Sequence, residues 1–255
     1  MSTFATYAPY YDLLYQDKDY FSEAAFIHSV LERFCPQVNR VLDLGCGTGM
    51  HARHLAALGL SVFGVDASTA MVEHAKASRG ALPRELSGRL DFRRGDIRTI
   101  RIGEQFGCVL SLFHVLSYLT ENEDLQCAFQ SIRAHLSSGG ICIVDCWYGP
   151  AVLNLKPSVR VKKFENKEAS VLRIAEPALH VNRNVVDVNY TLWVKNQIDD
   201  RVEIIRETHH MRYLFRPEIE LLAKQADLEI LETREWMTGR EPGLDTWSVY
   251  FVLRG

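Results

Sequence analysis

The chain has 255 residues, 29 Lys+Arg against 32 Asp+Glu for a net charge of −3, and 47% hydrophobic residues. That length supports one large domain, or one carrying a sizeable insertion, with a substantial core, and nothing in the charge balance points to a dedicated nucleic-acid or acidic-membrane binder. No apolar run approaches the roughly 18 residues of a membrane-spanning helix, and Met1-Ser2-Thr3-Phe4 lacks the basic-then-apolar start of a secretory signal, so a cytoplasmic location is expected.

In chain order, the first 35 residues read as two helical pieces: an aromatic cluster at Tyr7, Tyr10, Tyr11, Leu14 and Tyr15, then Phe21 to Phe34 at helical spacing, stopped by Pro36. Arg40–Leu44 is a short apolar strand ending at Gly45. His51–Leu58 is helical and stops at Gly59. Ser61–Val65 is a second strand, Thr69–Ser78 a second helix with Ser68 as its N-cap, and Leu90–Arg94 a third strand. Cys108–Leu112 is a fourth strand, Asp124–Leu136 a helix closed by Gly139-Gly140, and Ile141–Asp145 a fifth strand. Strands and helices alternating at crossover length imply a doubly wound, mostly parallel sheet. The strands are apolar on consecutive residues, as strands covered on both faces should be.

After Pro150 the pattern changes. Val159–Phe164, Ser170–Glu176, Val185–Lys195 and Arg201–Tyr213 read as strands with no helices between them. Val186, Val188, Tyr190, Leu192 and Val194 alternate with more polar neighbours, the period of a half-buried antiparallel strand. Pro217–Ala226 then reads as a helix, and Leu228–Thr233 and Trp247–Leu253 as strands completing the main sheet. The expected organisation is a lid and cofactor-binding core over residues 1–150, an antiparallel β insertion over 151–213, and core-completing elements over 214–255. Fold class is α/β, Rossmann-like, with a seven-stranded mostly parallel sheet.

Six cysteines (Cys35, Cys46, Cys108, Cys127, Cys142, Cys146) form no C-x-x-C pair, so neither a disulfide framework nor a zinc site is expected. The loop after the first strand, Asp43-Leu44-Gly45-Cys46-Gly47-Thr48-Gly49, lets the backbone turn sharply and approach a ligand. Two ligands compete for it. Gly47 to Ala52 satisfies the dinucleotide pattern G-x-G-x-x-G/A, with Asp66 at a ribose-binding distance. Alternatively, a carboxylate at Asp43 suits a ligand carrying an ammonium group and opposes a diphosphate.

Val41 to Gly49 resembles the first motif of the class I S-adenosylmethionine-dependent methyltransferases. Val65-Asp66, Gly95-Asp96-Ile97, and Leu136 with Gly139-Gly140 resemble later motifs of that family in the same order, with Ser138 in place of a usual proline. The resemblance implies S-adenosylmethionine as cofactor, held by Asp43, Gly45, Cys46, Gly47, Asp66 at the ribose, Ala67, Met71, Asp96 at the adenine amino group, and Ile97, with Leu112 and Phe113 flanking the methionine end. Each acid also has a structural alternative: a turn for Asp43 and Asp96, an N-cap for Asp66.

An acceptor amine must lose a proton, and a hydroxyl needs a base. His114 is the candidate acid/base because imidazole titrates near neutrality; Tyr118, four residues on, would share its helical face. Tyr7 to Tyr15 resembles the lid of small-molecule methyltransferases, including glycine N-methyltransferases and the N,N-dimethyltransferases of nucleotide-linked amino sugars. That similarity implies Tyr11 against the sulfonium, with Tyr7 next. Trp147, Tyr148 and Arg212 are expected at the acceptor, and His209-His210 should point to opposite faces of their strand. The leading expectation is a metal-independent N-methyltransferase acting on a small polar acceptor, with O-methylation as the alternative. A cofactor-binding regulator, an NAD-dependent dehydrogenase and a macromolecular methyltransferase remain as other readings. A homodimer through the insertion's edge strands is also expected.

Overall fold

A computed structural model describes residues 8–255 of the chain. Strands β1 (Arg40–Leu44), β2 (Ser61–Asp66), β3 (Leu90–Arg94), β4 (Phe106–Ser111) and β5 (Leu136–Tyr148) run parallel. Strand β11 (Ser248–Arg254) pairs antiparallel with β5, and β10 (Glu229–Glu235) antiparallel with β11. Across this part of the sheet the order is β3-β2-β1-β4-β5-β11-β10. The order reverses between β1 and β4, which opens a crevice at the carboxyl ends of those strands.

Consecutive strand residues face opposite cores. Leu42, Leu44, Val109 and Val144 pack under helices α6 (Asn122–His135) and α8 (Arg216–Gln225). Val41, Leu110 and Ile143 pack under α2 (Tyr20–Phe34), α3 (Met50–Ala57) and α4 (Thr69–Gly80). Helix α2 starts where the Ser22 amide donates to Asp19 Oδ1 at 2.9 Å and ends at Phe34, ahead of Pro36. The minor helices are α1 (Tyr11–Leu14), α5 (Arg84–Ser87) and α7 (Gly149–Leu155). Helix α7 was not expected; Pro150 sits in its first turn, where a missing amide hydrogen costs nothing.

The insertion is an antiparallel meander of β6 (Arg160–Glu165), β7 (Ala169–His180), β8 (Val185–Asn196) and β9 (Val202–Leu214). In β8 the alternation holds: Val186, Leu192 and Val194 are buried, Trp193 and Lys195 exposed. The insertion is not a separate appendage. Strand β5 outruns its partner β4, and the free ladder at its end is taken by β9 through Trp147↔Tyr213 and Tyr148↔Leu214. Among the described residues the seven expected core strands and the four of the insertion therefore form one continuous 11-stranded sheet. Leu14 of α1 drops into a cluster with Phe164, Val171, Leu192, Val194 and Ile205, so the lid rests on the insertion's inner face. Among the described residues no helix is long and apolar enough to cross a membrane.

Candidate active site

The β1–α3 loop folds back on β2: the Gly45 and Cys46 amides donate to the Val65 carbonyl at 2.7 and 3.0 Å. Gly45, Gly47 and Gly49 hold φ of +87°, +54° and +80°, a backbone that side-chain-bearing residues adopt at a cost. Asp66 locks this turn, accepting from the Gly47 amide at 2.9 Å and the Ser68 amide at 2.8 Å. Ser68, not Asp66, caps α4, with Oγ accepting from Met71 N at 3.4 Å.

Asp43 lies under the loop, 2% exposed, and its Oδ2 has no hydrogen-bond partner among the described residues. Burial pushes its carboxyl up to about 6, with Asp66 raising it further and His51 opposing. A buried carboxylate with an orphaned oxygen calls for a cation. It faces a crevice lined by Tyr11, Gly45, Gly47, His51, Leu112 and Phe113, among others. The ammonium of a methionine tail would satisfy Oδ2; a diphosphate there would add negative charge beside Asp43 and Asp66. These residues fit S-adenosylmethionine and not a dinucleotide.

The lid closes over this end by polar ties. Thr48 Oγ1 donates to Asp12 Oδ1 at 2.9 Å, and His74 Nδ1 lies 3.6 Å from Asp12 Oδ2. Glu23 of α2 meets His51 Nε2 at 2.7 Å and also pairs with Lys18. Burial alone would raise Glu23, but His51 and Lys18 together hold it down at about 2. Tyr11 stacks obliquely on Tyr15 at 4.7 Å, and Tyr15 sits edge-on to Phe113 at 5.1 Å.

His114 is not helical. Phe113 and His114 both lie in the left-handed region, at φ of 63° and 65°, ahead of a 3-10 turn over Val115–Tyr118. Consecutive non-glycine residues in that region are strained and persist only when their surroundings impose them. Asp145, 1% exposed at the end of β5, imposes it here: its Oδ1 accepts the His114 amide at 2.9 Å, and its Oδ2 lies 3.0 Å from His114 Nδ1. That leaves Nε2 as the ring nitrogen directed away from the acid. The His114 ring stands between Phe113 (centroids 5.7 Å) and Trp147 (6.3 Å). Trp147 in turn walls a second, larger crevice that is also lined by Arg160, Lys162, Arg173, Tyr190 and Trp247. His114 thus sits between the two crevices.

Several expected residues take other places. Tyr118 does not share a face with His114, because the segment is a 3-10 turn that His114 precedes; its hydroxyl lies 2.8 Å from His209 Nδ1. Arg212 is committed elsewhere, donating to the Thr120 carbonyl, Asn122 Oδ1 and Glu218 Oε1 at 3.0, 2.8 and 2.9 Å. Tyr148 packs against the core under α8. Asp96 spends its carboxylate on Arg98, which bridges to Asp124, so an adenine amino group would have to share it. Ala67 is exposed, while Met71 and Ile97 are buried. Tyr7 lies outside the described residues. His209 is buried and His210 exposed, on opposite faces as expected.

Four contributors were missed: Asp145, and the cations Arg160, Lys162 and Arg173. An acid inside the apolar run Ile141–Trp147 was the available signal for the first. Basic residues alternating toward Phe164 were the signal for the two on β6.

The strand order and the acid under the glycine loop define a Rossmann-like methyltransferase. A family described as "Methyltransferase domain" matches residues 41–140. The dTDP-3-amino-3,4,6-trideoxy-alpha-D-glucopyranose N,N-dimethyltransferase of Streptomyces venezuelae is 30% identical over 73% of this chain and 76% of its own. The dTDP-3-amino-3,6-dideoxy-alpha-D-glucopyranose N,N-dimethyltransferase of Streptomyces fradiae is 28% identical over 92% of this chain and 87% of its own. The crystal structure of Streptomyces venezuelae DesVI shares the fold, with a TM-score of 0.81 at 24% identity over 98% of both chains. The chain belongs to the S-adenosylmethionine-dependent methyltransferases.

Proposed function

We propose that this enzyme methylates the amine of a nucleotide-linked amino sugar, with His114 as the base. The observation that carries the reading is the position of His114 between a crevice fitted to the cofactor's amino-acid end and a larger crevice with a cationic wall. When bound, S-adenosylmethionine supplies an electrophilic methyl on a sulfonium. Asp43 and Asp66 would hold its ammonium and ribose, and Tyr11, on the crevice wall, would lie toward the sulfonium. His114 Nε2 takes the proton that an ammonium acceptor must lose, and Asp145, by accepting the His114 amide, holds the backbone that presents the ring. Catalysis beyond that proton is positioning.

Arg160 and Lys162 project from one face of β6, and Lys162 stands directly opposite Arg173 on β7. Like charges in cross-strand register repel, and among the described residues neither Arg160 nor Lys162 has an ion-pair partner. A diphosphate would relieve that repulsion, and the relatives named above act on dTDP-linked amino sugars. The test is mass spectrometry of products from a panel of nucleotide-linked amino sugars, their hydroxyl analogues and the free sugars. Methyl gain only on hydroxyl analogues would replace this reading with O-methylation.

The same reading includes a homodimer. Leu172, Trp193 and Ile204 align across β7, β8 and β9 on the outer face and are exposed. Light scattering should give twice the monomer mass, and Trp193→Glu should shift it toward the monomer.

A further inference from the structure

We infer that His209 is a positioning residue for methyl transfer: from the insertion, it holds the turn that presents His114. The inference rests on the reading of His114 as the base. The strained backbone at Phe113 and His114 needs anchors on both sides. On the near side Asp145 accepts the His114 amide. Within the turn the Ser117 amide donates to the His114 carbonyl at 2.9 Å, and Ser117 Oγ accepts from Trp147 N at 3.2 Å. Both anchors belong to the main sheet. The far end is held from a different part of the chain, where the Tyr118 hydroxyl meets His209 Nδ1 at 2.8 Å.

His209 is itself fixed. It is 2% exposed, its Nε2 lies 3.3 Å from Glu207 Oε1, and its ring stands edge-on to Tyr190 at 4.9 Å. The Tyr118 hydroxyl and the imidazole can each serve this bond as donor or acceptor, so it needs only that the ring stay where the strand holds it. Tyr190 also lines the acceptor crevice. A continuous set of contacts therefore runs from that crevice through Tyr190, His209 and Tyr118 to the turn that begins at His114. Tyr118 acts through this bond, not as an acid or base on the acceptor.

The test is steady-state kinetics on Tyr118→Phe, which removes only the hydroxyl, with His209→Leu and His209→Asn beside it. Loss of one neutral buried hydrogen bond predicts a fall in kcat of about five- to tenfold for Tyr118→Phe and His209→Leu. The dissociation constant for S-adenosylmethionine stays unchanged, and His209→Asn, which puts an acceptor near Nδ1, recovers most of the loss. In a His114→Gln background, Tyr118→Phe should lower kcat no further. An unchanged kcat in Tyr118→Phe overturns the inference, as does a further loss in the His114→Gln background. Full activity in His114→Gln itself would instead overturn the parent reading, so the two failures are told apart.

Discussion

The two ends of the site are built in opposite ways. The cofactor end is made of neighbours in sequence: β1, its glycine loop and the end of β2 supply Asp43, the turn and Asp66. Its decisive groups are backbone amides and buried acids. The proposed acceptor end is assembled from β5, β6, β7, β8 and the segment before β11, and its decisive groups are cations and indoles. A common donor can be held by a rigid local device. An acceptor that differs between family members is met by side chains on strands whose register can carry many substitutions. On the proposed reading His114 stands at the junction, with Asp145 holding its amide and His209 meeting Tyr118 at the far end of its turn.

The sharpest way to break this division is at the junction. His114→Gln should lower kcat by about 10²–10⁴, the usual worth of a positioned general base, while calorimetry finds cofactor affinity unchanged. Comparable loss of cofactor binding would place His114 on the donor side only.

Next in size is Asp43→Asn, with two opposed effects. Removing the charge opposite the ammonium should weaken S-adenosylmethionine binding by about 10- to 100-fold. The cofactor-free protein should become more stable. Asp43 is raised in the fold from 3.8 to about 6, so its ionised form opposes folding above pH 6, and that penalty fades as pH falls toward 4. The penalty is on the order of 2–3 kcal/mol. Melting curves should therefore show Asp43→Asn above the wild type at pH 7.5 and level with it near pH 4. Equal melting temperatures at pH 7.5 would mean the acid is already compensated without cofactor.

That contrast also explains what could be read from the chain. The glycine loop and its acids were legible because strand, loop and strand end lie within about two dozen residues and local periodicity places them. The 113–118 segment was misread because the four-residue separation of His114 and Tyr118 suggested one helical turn, whereas Asp145 pulls Phe113 and His114 into the left-handed region and leaves only a 3-10 turn. The pull comes from a strand 31 residues away. The cationic wall was illegible for the same reason: Lys162 and Arg173 meet only once the β6–β7 register is known. Arg212 looked like a free cation near the sheet, but its partners Thr120 and Asn122 sit far off in sequence.

A smaller effect should separate the ends on the acceptor side. Lys162→Ala should raise KM for a nucleotide-linked acceptor by about three- to tenfold at low salt, with the difference shrinking at high salt as the exposed charge is screened. The free amino sugar should show no such change. A loss shared by both acceptors would make Lys162 a structural residue.

The smallest effect concerns the lid's tie to the cofactor end, and its sign follows from Glu23. Its carboxyl falls from 4.5 in the unfolded chain to about 2 in the fold, since His51 and Lys18 outweigh its burial. A depressed acid stabilises the fold above its unfolded value, and that contribution is lost as pH falls from about 4.5 toward 2. Glu23→Gln should therefore lower the melting temperature at pH 7 by a few degrees, with the gap to the wild type closing as the pH approaches 2. Because Glu23 reaches His51 on α3 from the lid side, the variant should also release cofactor faster, by about two- to fivefold, through loss of one charge-assisted contact that is partly screened. Stopped-flow displacement measures this directly. A melting shift without faster release would show that Glu23 braces α2 against α3 and leaves the crevice's opening to the Asp12–Thr48 bond.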